Sequence, residues 1–384
     1  MRQLLILLAL AAPAAARQSS LTPEMDRIVM EGVDALFRMD FDAAEEAAKK
    51  AMALNPDYPH AYLGVALADF TRYGYGPAQS DEGLVKSFDK KVDAAIEVSE
   101  RWLKTHPGDA AALLVLGCGY GISARLALER YEYLKGWRNG SRSMKYIRAS
   151  LKADPEMYDS YMGLGMFDYY VDTIPRFAGW LAKIMLGGDR ARGLRELRLA
   201  AEKGHFTRVA AQMILVEIDT QDEFGARDTR DAVRLMAGIR EKYPDSPMIH
   251  SAQIVAFYEN GDYAEGLREA KEYLARVRAG RYPASDMSMA RTLNGTLMWR
   301  MGGKEEALAE FRAGSDAAPI TRWSVWNRVR AGQLLDLLGR RDEALAAYRS
   351  AYAEPDRWAF KAIIKPCLSK PCVGPAYPGL FSPN

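Results

Sequence analysis

Residues that commonly bind metal ions or carry catalysis are scarce in this 384-residue chain. It has three cysteines and four histidines. His60, His106, His205 and His250 lie far apart in the sequence and form no H-x3-H or HExxH pair, which argues against a metal site. The sequence also lacks the G-x-S-x-G motif of serine hydrolases. The glycine-rich stretch Gly117–Gly121 is not followed by Lys-Ser/Thr, so it is not a phosphate loop. We therefore expect no enzymatic activity and no cofactor.

The chain also lacks an excess of charge of either sign. Its 52 basic and 50 acidic residues give a net charge of +2, which gives no reason to expect nucleic acid or an anionic membrane as a bulk partner. Alternating β-branched residues are rare, whereas Ala, Leu, Arg, Glu and Met dominate, and this composition favours helices. The hydrophobic content of 49% is too high for a disordered chain. We predict an all-α protein.

The first 16 residues predict a secretory signal peptide. Arg2 precedes the apolar stretch Leu4–Ala12, and Ala14–Ala16 offers a cleavage site after Ala16. The apolar stretch is shorter than the ~20 residues that span a bilayer, and no later stretch reaches that length without a charge, so we expect no transmembrane segment in the mature chain. A retained N-terminal anchor is the alternative. Export to a bacterial periplasm suits this pattern best, with an extracellular or envelope-associated location as the alternative.

Two of the three cysteines lie close together near the C-terminus. Cys367 and Cys372 each follow a Lys-Pro dipeptide, and in an oxidising compartment such a pair can form a disulfide. A loop this short stabilises a protein by only about 2 kcal/mol in the chain-entropy model. A metal site would need a second pair of ligands, which is absent nearby. Cys118 lies in an apolar run and is typical of a small buried side chain.

An internal repeat is the strongest pattern in the sequence. The segment Asn294–Gly314 reads NGTLMWRMGGKEEALAEFRAG, and Ala331–Ala351 reads AGQLLDLLGRRDEALAAYRSA. The two align at a fixed offset of 37 residues. The matching positions are Gly295 and Gly332, Gly302 and Gly339, Ala307 and Ala344, and Phe311 and Tyr348. Repeats of this length indicate stacked supersecondary units.

The spacing of small and aromatic residues predicts that each unit is a pair of antiparallel helices. A small residue on the first helix (Gly295, Gly332) allows close approach of the second helix. A glycine at the turn permits the left-handed backbone that ends the first helix. An aromatic residue on the second helix (Phe311, Tyr348) then fills the space between helices. This pattern resembles the tetratricopeptide repeat.

Weaker copies of the pattern extend upstream, and the resemblance covers roughly residues 22–355. Second helices end at X-Pro pairs, because the residue before proline disfavours the helical conformation. These pairs are Asn55-Pro56, His106-Pro107, Asp154-Pro155, Tyr243-Pro244, Ala318-Pro319 and Glu354-Pro355. The resemblance implies an α-solenoid of about six or seven helix pairs, stacked into a right-handed superhelix with a long concave groove lined by first helices.

These patterns divide the chain into five predicted segments. They are a signal peptide (1–16), N-terminal repeats (17–170), an irregular aromatic and basic insertion (171–205), C-terminal repeats (206–356) and a tail (357–384). The tail is rich in Pro and Gly and lacks a helical period. We expect it to run extended over the last repeat, docked by Trp358 and Phe360.

The segment around the insertion supplies the candidate binding residues. Aromatic side chains there could anchor a peptide or stack on a sugar ring, or they could fill a widened core. These aromatic candidates are Tyr158, Tyr161, Tyr169, Tyr170 and Trp180.

Basic residues nearby could hold an acidic peptide or an anionic glycan, or they could be ordinary solvated charges. A first group shares one helix face and comprises Arg138, Arg142, Lys145, Arg148 and Lys152. A second group comprises Arg190, Arg192, Arg195 and Arg198.

The family resemblance implies a non-catalytic scaffold of the bacterial cell envelope that binds a protein or peptide in its concave groove. A carrier or receptor for a small ligand or glycan, with the central aromatic segment as its platform, is the alternative. The remaining interpretation is an enzyme whose site is assembled from the insertion and the cysteine-containing tail.

Overall fold

The computed structural model describes residues 21–75, 81–173, 188–221, 227–355 and 360–372. Within these ranges the chain forms α-helices and one short 3-10 turn, and no β-strand, which confirms the predicted all-α class. The predicted signal peptide, Trp180 and Trp358 lie outside the described residues.

Seventeen α-helices follow one another in the described ranges. The N-terminal half contains α1 (Pro23–Arg38), α2 (Phe41–Leu54), α3 (Pro59–Tyr75), α4 (Glu82–Thr105), α5 (Ala110–Glu129), α6 (Tyr133–Ala153), α7 (Ser160–Thr173) and α8 (Arg190–Lys203). The C-terminal half contains α9 (Arg208–Gln221), α10 (Thr229–Lys242), α11 (Pro247–Asn260), α12 (Tyr263–Arg278), α13 (Met287–Arg300), α14 (Lys304–Ser315), α15 (Arg322–Leu337), α16 (Arg341–Ala353) and α17 (Phe360–Ser369).

Short polar residues define where many of these helices begin. Asp109 precedes α5, and its Oδ1 accepts a hydrogen bond from the backbone N of Ala112 at 3.1 Å. Thr321 and Ser324 form a reciprocal capping box at the start of α15. Such side chains satisfy backbone N–H groups that the first turn leaves without partners.

Consecutive helices pack as antiparallel pairs, and first helices also contact the first helix of the next pair. This is the contact pattern of a stacked array, so the predicted α-solenoid is confirmed. Eight pairs, α1–α2 through α15–α16, are visible in the described part of the chain. That number exceeds the six or seven expected from the sequence.

The predicted nesting of small and aromatic residues is present in the two clearest repeats. An ideal Cβ placed on Gly295 would lie 2.6 Å from Phe311 Cε1, and one on Gly332 would lie 2.5 Å from Tyr348 Cε1. Both aromatic rings are fully buried. Paired helices therefore approach more closely there than any side chain on the glycine would allow.

The segment predicted as an irregular insertion contains a regular helix. Helix α8 packs against α7 as the second member of a pair, and the two cross where Gly165 meets Gly193. An ideal Cβ on either glycine would lie 2.7 Å from the carbonyl oxygen of the other. The pair is therefore held by backbone-to-backbone contact, without the glycine-to-aromatic pattern found near the C-terminus.

The tail begins as helix α17, so the expected extended conformation is wrong for residues 360–369. Ile364 and Cys367 recur at helical spacing and are buried, and Phe360 stacks on Trp326 of α15 with ring centroids 5.3 Å apart. A disulfide joins Cys367 to Cys372. The tail does cover the last repeat as expected, but it does so through an amphipathic helix.

The array curves until its beginning touches its later pairs. Asp34 of α1 accepts hydrogen bonds from Lys242 Nζ at 2.9 Å and from the Tyr243 hydroxyl at 2.5 Å. At the end of α3, the Tyr75 hydroxyl lies 3.0 Å from the Tyr273 hydroxyl of α12. The expected long open groove is therefore closed where the first two pairs meet the fifth and sixth.

Helix α5 is long and apolar enough to cross a membrane by length and composition. However, 72% of its most apolar stretch is buried inside the protein. A helix that is apolar on all sides and covered by its neighbours is typical of a core element.

Candidate functional site

Partly exposed charged and aromatic side chains of several first helices lie near enough to influence one another electrostatically. We call this set the inner cluster: Arg125 and Glu129 of α5, Tyr170 of α7, Glu217 of α9 and Arg322 of α15. Arg125 Nε donates to Glu129 Oε1 at 3.2 Å, and both side chains remain about 40% exposed. The inner cluster is therefore partly enclosed by protein, while its polar atoms remain accessible to solvent.

Electrostatic effects link the members of the inner cluster. Burial lowers the pKa of Arg125, but the carboxylates of Glu217 and Glu129 raise it by more, and the Tyr170 hydroxyl adds to this effect. Burial likewise lowers the pKa of Arg322, which Glu129 only partly offsets. Both guanidinium groups stay charged at neutral pH because an arginine pKa is far above 7.

The predicted aromatic residues divide between core and surface. Tyr169 is 2% exposed and packs edge-on against Tyr170 at 5.5 Å between centroids. Tyr169 therefore lies in the core, and its part in binding stays a prediction. Tyr158 and Tyr161 are half-buried and stack with centroids 6.3 Å apart. Of the predicted aromatics within the described ranges, Tyr170 alone belongs to the inner cluster.

Only some of the predicted basic residues contact the aromatic segment. Arg138, Arg142 and Lys145 are exposed on α6, on the face opposite the residues that pack against the array. Arg190 lies 4.0 Å from Asp172 in an ion pair between α8 and α7. The sequence pattern therefore predicted one site, whereas the structure has two surfaces, one inside the array and one on the outer face of α6.

Arg125, Glu217 and Arg322 were missed as candidates from the sequence. Glu217 follows Arg125 by 92 residues, and Arg322 follows Glu217 by 105 residues. No local sequence pattern therefore connects them. One signal was available: Arg125 is the only charged residue in α5 before Glu129. A lone arginine in an otherwise apolar helix indicates a position that faces a polar space.

A small cavity lies beside the contact between α1 and the later pairs. Its volume is about 130 Å³, and it is lined by residues that include Met30, Asp34, Phe206, Arg208 and Tyr243. Sites for drug-sized ligands usually enclose about 300–1,000 Å³. This cavity has room for a few water molecules or a very small ligand.

Burial shifts the pKa of two potentially reactive side chains, Cys118 and His250, away from reactivity. Burial raises the pKa of the Cys118 thiol to about 12, so it stays protonated and is a poor nucleophile. Burial lowers the pKa of His250 to about 3, and its ring nitrogens contact the Tyr282 hydroxyl at 3.0 Å and Glu269 Oε2 at 2.8 Å. His250 is fully buried and serves as a neutral structural residue.

Metal ligands do not cluster either. Across the described ranges, no group of three or more His, Cys, Asp and Glu side chains could hold a metal ion.

Comparison with known proteins supports the repeat architecture over part of the chain. Residues 221–285 match the sequence model described as tetratricopeptide repeat. No curated protein sequence is significantly similar to this chain.

Several solved structures are similar at low sequence identity. A tetratricopeptide repeat protein from Parabacteroides merdae is 14% identical, with 91% of this chain and 98% of that chain covered and a TM-score of 0.36. Yeast Tom70 is 11% identical, with 86% and 85% covered and a TM-score of 0.41. Human IFIT1, in a dimer with m7Gppp-AAAA, is 11% identical, with 92% and 89% covered and a TM-score of 0.46. From its helix pairs, the chain is an α-solenoid, and its residues 221–285 match the tetratricopeptide repeat model.

Proposed function

We propose that this protein is a non-catalytic scaffold that binds a protein or peptide through the inner cluster. The observation that carries the proposal is the electrostatic influence of Glu217 and Tyr170 on Arg125 and of Glu129 on Arg322, which relates charged and aromatic side chains from four different first helices. Tyrosine and arginine are enriched among the residues that dominate binding energy in protein interfaces. Repeat proteins commonly use such inner surfaces to hold extended partners.

The charges of the inner cluster favour a partner segment with a carboxylate. Arg125 is paired with Glu129 four residues along the same helix, and such exposed pairs contribute little to stability. A partner carboxylate could therefore replace Glu129 and make a charge-assisted hydrogen bond with the guanidinium group. Tyr170 beside it offers a rigid aromatic face at low entropic cost.

We further propose that the protein works in the bacterial cell envelope, most simply in the periplasm. The support is the predicted signal peptide at residues 1–16. The Cys367–Cys372 disulfide is compatible with an oxidising compartment. Fractionation of cells that express a tagged full-length chain tests this location, and recovery in the cytosol would contradict it.

Quantitative capture from envelope extract tests the binding site. Full-length protein and the variants Arg125→Ala and Tyr170→Ala serve as baits, with captured proteins quantified by mass spectrometry. We expect a partner whose recovery falls at least tenfold with either variant, since each removes a central contact. Arg349→Ala is the matched control, because Arg349 is an exposed arginine on the outer helix α16. Equal recovery of every captured protein by all four baits would place binding elsewhere.

A glycan or small-ligand carrier is the second candidate, favoured by one specific arrangement. Tyr158 and Tyr161 stack, and Lys203 Nζ lies 5.0 Å from the Tyr158 ring centroid, which forms a partly exposed aromatic platform of the kind that sugars stack on. Glycan-array binding that is lost in Tyr161→Ala and kept in Tyr170→Ala would favour this candidate over peptide binding.

A further inference from the structure

Exposed hydrophobic side chains are concentrated at the corner between α5 and α6. Of the nine large hydrophobic residues exposed in the described ranges, five lie within residues 128–137. We call these the corner patch: Leu128, Tyr131, Tyr133, Leu134 and Trp137. Their exposed fractions run from 49% to 80%. Single exposed hydrophobic residues are ordinary, but a contiguous group of this size marks an interaction surface.

One member of the corner patch, Tyr131, has a backbone conformation that disfavours a bulky side chain. Tyr131 has a φ of 63°, whereas the turns after α11, α13 and α15 place Gly261, Gly302 and Gly339 in this left-handed region. A large side chain is strained there. Tyr131 is 67% exposed, so burial does not offset the strain. Folding alone would favour glycine at this turn.

The exposed face of α6 continues from the corner patch as a purely basic stripe. No acidic residue occurs between Tyr133 and Ala153. At about 100° per residue, Leu134, Trp137 and five basic residues fall within a sector of about 140°. We call the basic residues the α6 stripe: Arg138, Arg142, Lys145, Arg148 and Lys152. All five are exposed.

The α6 stripe lacks carboxylate partners. Arg142 lies over the Tyr120 ring at 5.4 Å and Lys145 over the Tyr146 ring at 5.3 Å. Within the described residues, Arg138, Arg148 and Lys152 have no ion pair or hydrogen bond from their side chains. The buried residues of α6 lie on the side opposite most of the stripe, and Arg142 reaches the Tyr120 ring of α5. The stripe therefore presents unneutralised positive charge outward.

We propose that α6 docks on the surface of an anionic lipid bilayer. The corner patch inserts into the interface between headgroups and acyl chains, and the α6 stripe lies over the anionic headgroups. Tryptophan and tyrosine favour the membrane interface. Clusters of four to eight Lys and Arg residues on an amphipathic helix bind anionic lipids. Interfacial membrane binding requires an apolar surface and a basic surface side by side, and one face of α6 supplies both.

The shape of the surface favours a bilayer over an acidic polypeptide. The corner patch protrudes at a helix-to-helix turn, and Leu134 at its tip is 80% exposed. A peptide gains most from a groove that surrounds its side chains, whereas a bilayer accepts a protruding apolar tip. This inference does not depend on the inner cluster, and its test needs no protein partner.

Vesicle binding by the purified full-length protein tests the proposal. Co-sedimentation is measured with vesicles of phosphatidylcholine alone and with 30% phosphatidylglycerol. We expect binding to the anionic vesicles, at least tenfold weaker binding to the neutral ones, and loss of binding at high salt, because screening weakens headgroup contacts. Brominated acyl chains should quench tryptophan fluorescence in the wild type but not in Trp137→Phe.

Two matched sets of variants separate the apolar from the basic contribution. The triple variant of Arg138, Arg148 and Lys152 to Ala should weaken anionic-vesicle binding at least 20-fold. The control triple variant of Lys49, Lys50 and Arg349 to Ala, which removes exposed charges elsewhere, should bind as the wild type does. Leu134→Ala should weaken binding at least fivefold, whereas Met301→Ala, at another exposed hydrophobic position, should not.

Three outcomes would overturn the proposal. One is the absence of binding to anionic vesicles. Another is binding that the Arg138, Arg148 and Lys152 variant and the Leu134 variant both leave intact. The third is binding to soluble poly-glutamate that requires the α6 stripe but not Trp137, with vesicles left unbound, which would assign the surface to an acidic polypeptide.

Discussion

Individual glycines decide how closely helices pack in this array. Gly332 has no room for a methyl group, because an ideal Cβ would lie 2.5 Å from Tyr348 Cε1. Tyr348 is itself held by a hydrogen bond from its hydroxyl to Asp336 Oδ2 at 3.0 Å. Gly238 of α10 is also helical, but nothing lies within 4 Å of its ideal Cβ. Substitution by alanine should therefore destabilise the protein at Gly332 and stabilise it at Gly238.

We expect Gly332→Ala to lower the free energy of unfolding by about 1–3 kcal/mol, the usual effect of overpacking. Gly238→Ala should raise it by about 0.5–1 kcal/mol, because alanine loses less backbone entropy in a helix. Urea denaturation followed by circular dichroism measures both. Equal effects of the two substitutions would mean that the Gly332–Tyr348 contact does not limit the packing of α15 and α16.

Asp286 links the folding of the later repeats to pH. Burial raises its pKa to about 6, although hydrogen bonds from the Tyr273 and Tyr75 hydroxyls act to lower it. Its ordinary pKa is 3.8, so ionisation disfavours the folded state. This group therefore contributes stability that is fully present below pH 3.8 and is lost as the pH rises through about 6.

The variant Asp286→Asn should remove this pH dependence. Relative to Asp286→Asn, the wild type should lose about 2–3 kcal/mol of unfolding free energy between pH 4 and pH 7, since one pKa unit corresponds to about 1.4 kcal/mol. Denaturation at several pH values measures the difference. Parallel curves for the two proteins would show that Asp286 ionises normally in the folded state.

At the scale of residues, the sequence predicted neighbours within a repeat but not across the array. Gly295 and Phe311 were predicted to meet because both belong to one repeated phrase. Arg125 and Glu217 could not be paired, because their proximity depends on how several intervening helix pairs rotate. Tyr169 and Tyr170 could not be assigned to core or surface, since adjacent residues on an apolar helix leave the orientation open.

Among the helices, the terminal helix α17 has the clearest structural role. Phe360 stacks on Trp326, Ile364 is fully buried, and Arg341 donates to the Cys367 carbonyl oxygen at 2.8 Å. The backbone N of Cys372 donates to Asp336 Oδ2 at 2.7 Å. Helix α17 therefore covers apolar surface that the last repeat would otherwise expose, as capping helices do in repeat proteins.

Deletion of residues 356–384 should destabilise the protein by about 3–6 kcal/mol, because it exposes the surface buried by two large apolar side chains. The shorter deletion of residues 373–384 keeps α17 and both cysteines and is the control. Thermal unfolding and light scattering measure stability and aggregation. If the two deletions behaved alike, the stabilisation would come from the residues after 372 and not from α17.

Helix α8 shows why sequence patterns missed one pair. The contact between Gly165 and Gly193 joins two backbones, so it carries no aromatic signature like that of Phe311 or Tyr348. The run of arginines in α8 also resembled a surface insertion, although Gly193, Leu197 and Ala200 form a buried stripe at helical spacing.

In the whole molecule, the start of a curved array is linked to its middle pairs through side chains far apart in sequence. Asp34 and Tyr243 are separated by 209 residues, and the Phe37 ring lies 5.5 Å from the Tyr243 ring. Repeat arrays are ordinarily stabilised by contacts between neighbours only. Small rotations between successive pairs accumulate into the overall curvature, so this closure could not be predicted from any one repeat.

We expect the closure to appear as coupling in a double-mutant cycle of Asp34→Asn and Tyr243→Phe. The double variant should be less destabilised than the sum of the single variants by about 1–2 kcal/mol, because each single variant already breaks the shared contact. Asp34→Asn combined with Tyr352→Phe, in the last pair, should be additive. Additivity in both cycles would mean that the first pair does not engage the later ones in solution.

The contact between α1 and Tyr243 also sets an order of events during synthesis. Helix α1 is made first, yet its partner residue follows 209 positions later. At about 5–20 residues per second, that delay is about 10–40 s. For this time Phe37, which ends up against the cluster containing Met236 and Tyr243, has no native surface to cover it. The newly synthesised chain therefore passes through a stage in which Phe37 of α1 lacks its native contacts.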